Sequence, residues 1–117
     1  MLGAIAGDIV GSRFEGAPAP PAGFALVADG ATFTDDTVCS LAVAAAYLDA
    51  TDYATTLRAF VRRHPQRGYG AMFRRWALTD DAPAYGSWGN GAPMRTAALG
   101  WLAPGAEAAR REAAAQA

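Results

Sequence analysis

Apolar residues recur at helical spacing over most of the chain, and no segment shows the strict alternation that is typical of a strand. The run from Val38 to Leu48 is apolar enough for a helix in the core, and Tyr53 to His64 carries one apolar face. Leu2 to Phe14 and several shorter stretches after Gly70 also fit helices. The pattern therefore predicts an all-α fold without a convincing strand.

Polar residues mark where the second of these helices begins. Thr34 is a typical N-cap residue, and Asp35 and Asp36 fill the following first turn. A threonine oxygen accepts a hydrogen bond from a free backbone N–H there, and acidic groups are favoured by the helix dipole. We expect a helix that begins just after Thr34 and ends near Leu48.

Glycines form a stripe on the first predicted helix. Gly3, Gly7 and Gly11 recur at every fourth position and so lie on one side. Because glycine costs a helix roughly 1 kcal/mol per position relative to alanine, close packing has to compensate. We expect a neighbouring backbone to approach this stripe.

Composition narrows the class of protein. The length of 117 residues predicts one domain over 1–117, or part of a larger one, and the net charge of −1 leaves no broad basic face for nucleic acid. No stretch is long and apolar enough to predict a membrane span or a targeting signal. The single cysteine, Cys39, has apolar neighbours, so we expect it to be buried, and we expect a reducing, cytoplasmic location.

Thr34, Asp35 and Asp36 are the first candidates for chemistry. Three consecutive hard oxygen donors at the start of a helix suit Mg²⁺, Mn²⁺ or Ca²⁺ better than zinc. Ordinary helix capping explains the same three residues and is the more common situation. This segment alone leaves both explanations open.

Asp8 and Glu15 are the second candidates. Asp8 stands among small apolar residues, where a carboxylate has to find partners, and Ser12 and Glu15 follow it at helical spacing. The three side chains fit a shared site, or simply the hydrated face of a helix.

Two glycine-rich stretches are candidates for ligand binding. Gly68, Tyr69 and Gly70 form a turn whose backbone N–H groups can face an anion, and an ordinary turn between helices is the alternative. Ser87 to Gly91 offers hydrogen bonds from Ser87 and Asn90 and a close backbone approach at its glycines, and a packing loop is the alternative.

The order of these motifs is more specific than any one of them. Gly-Asp-Ile-Val-Gly-Ser-Arg-Phe-Glu (7–15) is followed by Phe-Thr-Asp-Asp-Thr (33–37), Arg-Gly-Tyr-Gly (67–70) and Gly-Ser-Trp-Gly-Asn-Gly with Met-Arg (86–95). This series resembles the ADP-ribosylglycohydrolase family over nearly the whole chain. The resemblance implies an orthogonal all-α bundle and a hydrolase that cleaves the bond between ADP-ribose and a protein side chain or small molecule.

The resemblance also implies roles for particular residues. The family holds two divalent ions, Mg²⁺ or Mn²⁺, and uses an acidic residue near the scissile ribose bond for acid/base chemistry. Carried over to this chain, the metal ligands are Thr34, Asp35 and Asp36, the acid/base residue is Glu15, the residues along the pyrophosphate are Gly68, Tyr69 and Gly70, and those along the ribose and phosphates are Ser87, Trp88, Gly89, Asn90 and Gly91. The expected partner is an ADP-ribosylated protein or another ADP-ribose conjugate.

One departure from the family pattern changes the expectation. The family takes further metal ligands from an Asp-x-Asp-Thr motif near its C-terminus, and nothing after Asp81 matches it. We therefore expect an N-terminal portion of the family domain that binds metal weakly, hydrolyses little, and self-associates through exposed apolar faces around Leu41 and Leu48. An ADP-ribose-binding module without catalysis and a structural, crystallin-like protein are the alternatives.

Overall fold

The computed structural model describes residues 1–117, and its regular structure is entirely helical, as the sequence predicts. The helices are α1 (Leu2–Gly11), which continues into a 3-10 turn (Ser12–Phe14), α2 (Asp35–Leu48), α3 (Tyr53–Arg63), α4 (Ala71–Leu78), α5 (Gly91–Met94), α6 (Ala97–Leu102) and α7 (Ala106–Ala115).

Helix α2 lies at the centre of the fold and contacts α1, α3, α5 and α6. Val38, Cys39 and Val43 on this helix are almost completely buried and pack in one cluster with Leu57 of α3 and Leu99 of α6. Burial raises the pKa of the Cys39 thiol to about 12, so it remains a protonated, unreactive core side chain. The predicted burial of this cysteine is confirmed.

Two arginines of α3 fasten the C-terminal end of α4. Arg58 donates to the carbonyl oxygens of Trp76 (2.8 Å) and Ala82 (2.7 Å), and its guanidinium lies 4.1 Å from the centre of the Trp76 ring. Arg62 donates to the Ala77 carbonyl at 3.0 Å and pairs with Asp80 at 2.6 Å. These contacts provide donors for the Trp76 and Ala77 carbonyls in the last turn of α4, and they hold the chain that leads toward Tyr85.

The glycine stripe of α1 faces open space, so the predicted close packing is wrong. A Cβ built on Gly3, Gly7 or Gly11 would meet no atom within 4 Å, and α1 has no buried residue. Gly7 and Gly11 instead line a cavity beside the helix. The spacing placed the three glycines correctly on one face, but it carried no information about what that face meets.

The C-terminal helices are tied to α5 by a buried polar contact. Helix α5 begins at Gly91, the last residue of the second glycine-rich stretch, and its Met94 N–H donates to the Asn90 carbonyl at 3.0 Å. Gln116, which follows α7, donates to the Ala92 carbonyl at 3.2 Å and accepts from Arg95. The last helix is therefore anchored against the segment that contains the Gly-Ser-Trp-Gly-Asn-Gly motif.

Several large apolar side chains are exposed. Leu48 is 66% exposed, Val27, Trp88 and Trp101 are more so, and Leu41 is half-buried. The expectation that such faces cause self-association stays a prediction. None of the helices has the length and apolar character that crossing a bilayer requires.

Candidate active site

Asp8 of α1 joins the first two helices through its carboxylate. Its Oδ2 accepts the backbone N–H groups of Thr34 (2.8 Å) and Thr37 (3.2 Å), and its two oxygens also accept the hydroxyls of the same threonines. These N–H groups belong to the first turn of α2, where no intrahelical acceptor exists. A side chain from another helix therefore caps α2, and we call this set of four hydrogen bonds the Asp8 latch.

Thr34 forms the second half of the same cap. Its buried hydroxyl donates to Asp8 at 2.6 Å and accepts the Asp36 N–H at 3.3 Å, which is the N-cap geometry that the sequence predicts. The hydroxyl oxygen thus has two protein partners already. Its proposed role as a metal ligand stays a prediction.

Three carboxylates converge beside the Asp8 latch. Oxygen atoms of Asp8, Glu15 and Asp36 all lie within 4.8 Å of one another. Glu15 reaches this point because the 3-10 turn Ser12–Phe14 ends directly before it. Neither ion pair of the protein, Arg62–Asp80 or Arg111–Glu112, involves any of them, so no basic side chain neutralises this carboxylate cluster.

Asp35 and Asp36 are adjacent in sequence but face different cavities. Asp36 lines a cavity of about 410 Å³ together with Asp8 and Glu15, whereas Asp35 lines one of about 670 Å³. Burial, followed by the charge of Asp36, raises the pKa of Asp35 to about 6. Burial and the charge of Asp8 also raise the pKa of Asp36. Burial and the neighbouring carboxylates thus disfavour negative charge on both side chains.

Gly68 lies between carboxylates of the two cavities. A Cβ at this position would be 3.4 Å from Asp35 Oδ1 and 4.0 Å from Glu15 Oε2. The residue has a φ of +90°, which side chains rarely tolerate. The Asp35 N–H donates to the carbonyl of the preceding Arg67 at 2.7 Å, which holds this turn against the start of α2.

The two glycine-rich stretches predicted to bind ligand contribute unequally. Gly70 and four residues of the second stretch line the larger cavity: Ser87, Gly89, Asn90 and Gly91. Trp88 is fully exposed and does not line it. Tyr69 is buried in the core, where its hydroxyl donates to the His64 carbonyl at 2.9 Å and burial raises its pKa.

Sequence reasoning left other groups of the two cavities unassigned. Asp8, a candidate because of its helical spacing to Glu15 but without an assigned role, belongs to the carboxylate cluster. Phe73, Trp76 and Tyr85 give the larger cavity aromatic walls, with 5.5 Å between the first two rings and 6.5 Å between the last two. Met94 lines both cavities. No sequence pattern predicted that α4 would bring two of these aromatic residues there.

Comparison with known proteins gives one finding for the whole chain. No curated protein and no solved structure matches it. The family model described as ADP-ribosylglycohydrolase matches residues 1–117.

Proposed function

This chain belongs to the ADP-ribosylglycohydrolase family, and on that premise we propose that it hydrolyses the glycosidic bond joining ADP-ribose to a protein side chain or small molecule. We further propose that it uses a divalent cation, Mg²⁺ or Mn²⁺. The observation that carries the second proposal is the carboxylate cluster of Asp8, Glu15 and Asp36, which lies beside a cavity without a basic partner.

The donor set of this cluster fits a hard divalent cation. Mg²⁺ and Mn²⁺ prefer carboxylate oxygens, and three neighbouring carboxylates repel one another unless a cation is present. Glu15 and Asp36 have oxygens free for coordination, while Asp8 divides its oxygens between the cluster and the Asp8 latch. When bound, such a cation orients sugar hydroxyls and makes water a better nucleophile.

The side chains have separable tasks in this proposal. Asp8 positions α1 against α2 and thereby brings Glu15 close to Asp36. Glu15 is exposed to the cavity, so its carboxylate can accept a proton from the attacking water while the bond at the anomeric carbon breaks through an oxocarbenium-like state.

The larger cavity is the proposed site for the rest of the ADP-ribosyl group. Its volume of about 670 Å³ suits a ligand of that size, and its walls combine aromatic side chains with the backbone of Gly70 and of Ser87–Gly91. Asp35 and Met94 lie where the two cavities approach each other. A ligand that extends across Met94 would place its ribose near Asp36 and its phosphates near the second glycine stretch.

We also propose that this polypeptide alone holds the cation weakly. Three carboxylates leave several coordination positions of the cation to water. The Asp8 carboxylate, moreover, already accepts four hydrogen bonds from the protein. Isothermal titration with Mg²⁺ and Mn²⁺ tests this, and tight binding at two sites would contradict it.

The test of the main proposal is release of ADP-ribose under single-turnover conditions, with the protein in excess over the substrate. Peptides ADP-ribosylated on arginine or serine are incubated with Mn²⁺, with Mg²⁺ or with chelator, and free ADP-ribose is measured by chromatography. We expect slow release that requires metal and falls at least tenfold in Asp36→Asn and Glu15→Gln.

Two exposed acidic residues provide matched controls for this test. Asp29→Asn and Glu107→Gln make the same chemical changes at exposed residues that neither belong to the cluster nor line either cavity, and we expect them to leave release unchanged. Release that persists in chelator, or that is the same in both cluster variants as in the wild type, would contradict the proposal. Binding of ADP-ribose without any release would favour the alternative of a non-catalytic binding module.

A further inference from the structure

Arg95 is a charged side chain in the interior of the protein. Only 6% of its surface is exposed. Its Nη2 donates to the Gln116 carbonyl at 2.6 Å, its Nε donates to the Gln116 side chain, and the guanidinium lies 5.6 Å from the centre of the Phe73 ring. The group is therefore held in one orientation between α5, α4 and the end of α7.

No carboxylate balances this charge. The ion pairs of the protein involve other arginines, and burial lowers the pKa of the Arg95 guanidinium. Asp35 and Asp52 line the same cavity without pairing with it, and Asp52 instead accepts the Thr55 N–H at 2.7 Å. A buried charge without a counter-ion is costly, and neutral hydrogen bonds compensate for that cost only in part.

One nitrogen of the guanidinium remains available to a ligand. Arg95 lines the cavity of about 670 Å³, and its Nη1 donates to no acceptor of the protein. Nη1 of Arg95 is also accessible to solvent. The one side-chain nitrogen or oxygen that is both fully enclosed and without a hydrogen-bond partner is Nε of Arg13. Gly89, Asn90 and Gly91 line the cavity with Arg95. The guanidinium thus faces a space that is lined by the glycine-rich stretch and by aromatic rings.

We propose that Arg95 is an anion-binding residue that pairs with a phosphate group of a ligand in the larger cavity, and that Gln116 is the residue that positions it. The identity of that ligand as a nucleotide diphosphate rests on the proposed function. Guanidinium and phosphate match in charge and in hydrogen-bond geometry, and the pair is stronger inside a cavity than in water. An anion bound here would replace the missing carboxylate partner.

The test measures anion binding without any metal. Wild-type protein in chelator is titrated with inorganic pyrophosphate, ADP and adenosine at matched ionic strength, and both heat of binding and thermal unfolding are recorded. We expect pyrophosphate and ADP to bind and to raise the unfolding temperature. We expect Arg95→Gln to weaken the affinity for pyrophosphate and for ADP by at least tenfold. The affinity for adenosine should not change, since only the phosphates contact the charge.

Three further variants keep the test decisive. Arg95→Lys retains a charge and should keep part of the affinity for ADP, whereas Gln116→Ala frees the guanidinium and should weaken that affinity several-fold. Arg110→Gln removes an exposed arginine and should change nothing. If Arg95→Gln does not fold, the lysine and alanine variants decide the question.

The proposal is overturned if the wild type binds neither pyrophosphate nor ADP, or if a folded Arg95→Gln protein binds ADP as well as the wild type does. It is also overturned if Arg95→Lys and Gln116→Ala both bind ADP with the affinity of the wild type. Because these titrations contain no metal and measure no hydrolysis, they can succeed while the proposed enzymatic function fails, and the reverse is equally detectable.

Discussion

Helices α1 and α2 lie side by side but are held in different ways. Eight residues of α2 are buried, and four of them pack in the apolar cluster with residues of α3 and α6. Helix α1 has none, and its specific tie to the rest of the protein is the Asp8 latch. The difference indicates that the stability of the fold resides mainly in α2 and its apolar neighbours, whereas the geometry of the carboxylate cluster depends on a few polar contacts at the junction with α1.

The largest effect is expected where the apolar region is damaged. Leu99 is 1% exposed and packs against α2, so Leu99→Ala should lower the free energy of unfolding by about 3 kcal/mol. Urea denaturation measures this. Leu48→Ala is the matched control, since Leu48 is mostly exposed and should change the free energy by less than about 0.5 kcal/mol. Equal losses in both variants would show that the packed centre is not where the stability lies.

Breaking the Asp8 latch should have a smaller effect on stability and a larger one on the site. Asp8→Asn removes the charge that accepts four hydrogen bonds, so we expect a loss of about 2 kcal/mol in the same denaturation experiment. Affinity for Mn²⁺ should fall at least tenfold, because the cluster loses a carboxylate and its alignment. Asp29→Asn is the control. An Asp8→Asn protein that keeps full affinity for Mn²⁺ would contradict this role of Asp8.

The charge at the start of α2 should make the metal-free protein less stable as the pH rises. The pKa of Asp35 is about 6 in the folded state and 3.8 as the unperturbed value, so the folded protein binds the extra proton between these values. Stability should therefore decrease from about pH 4 to pH 6, by roughly 1 kcal/mol after allowance for solvent screening.

Thermal unfolding in chelator at several pH values measures this dependence. Asp35→Asn should flatten the pH dependence and stabilise the metal-free protein at neutral pH, since the amide is never charged. Asp49→Asn alters an exposed residue at the other end of α2 and should leave the curve unchanged. If the stability of the wild-type protein rises from pH 4 to pH 6 as Asp35 ionises, that result would contradict the raised pKa of Asp35.

The smallest effect is expected from a single methyl group on α1. Gly7 has open space around its Cα, so Gly7→Ala should raise the stability by up to about 1 kcal/mol through helix propensity alone. Gly68→Ala is the contrasting variant, because its φ of +90° and the nearby Asp35 oxygen should make it destabilising by about 1 kcal/mol. If both substitutions lowered the denaturation midpoint by the same amount, the space around Gly7 would be occupied in solution.

The sequence predicted α2 almost completely, because local signals determine its ends. Thr34 caps it and Leu48 is its last residue, as expected from capping chemistry and the apolar run. The same local signals did not reveal that Asp8 caps this helix as well, since that contact joins residues 26 and 29 positions apart. Glu15 and Asp36 were identified as site residues, but their meeting point with Asp8 depends on how the two helices pack.

The ligand-binding roles of the glycine-rich motifs stay predictions, because a motif determines a turn and not the direction of each side chain. Tyr69 was assigned to a ligand, yet its ring fills the core and its hydroxyl serves the end of α3. In the second stretch, Ser87 accepts the Gly89 N–H at 3.1 Å and both line the larger cavity, while Trp88 between them points into solvent. The side-chain directions in these stretches follow the local path of an irregular loop, which has no fixed period.

The Asp8 latch affects local unfolding of the protein. A segment without buried side chains detaches at lower free energy than a packed one, so α1 should open locally while α2, α3 and α6 stay folded. Each such opening would leave the first turn of α2 without its acceptor and separate Asp8 from Asp36 at the same instant. The amide protons of Thr34 and Thr37 should therefore exchange with solvent at the rate set by α1, far faster than the amides of Val43.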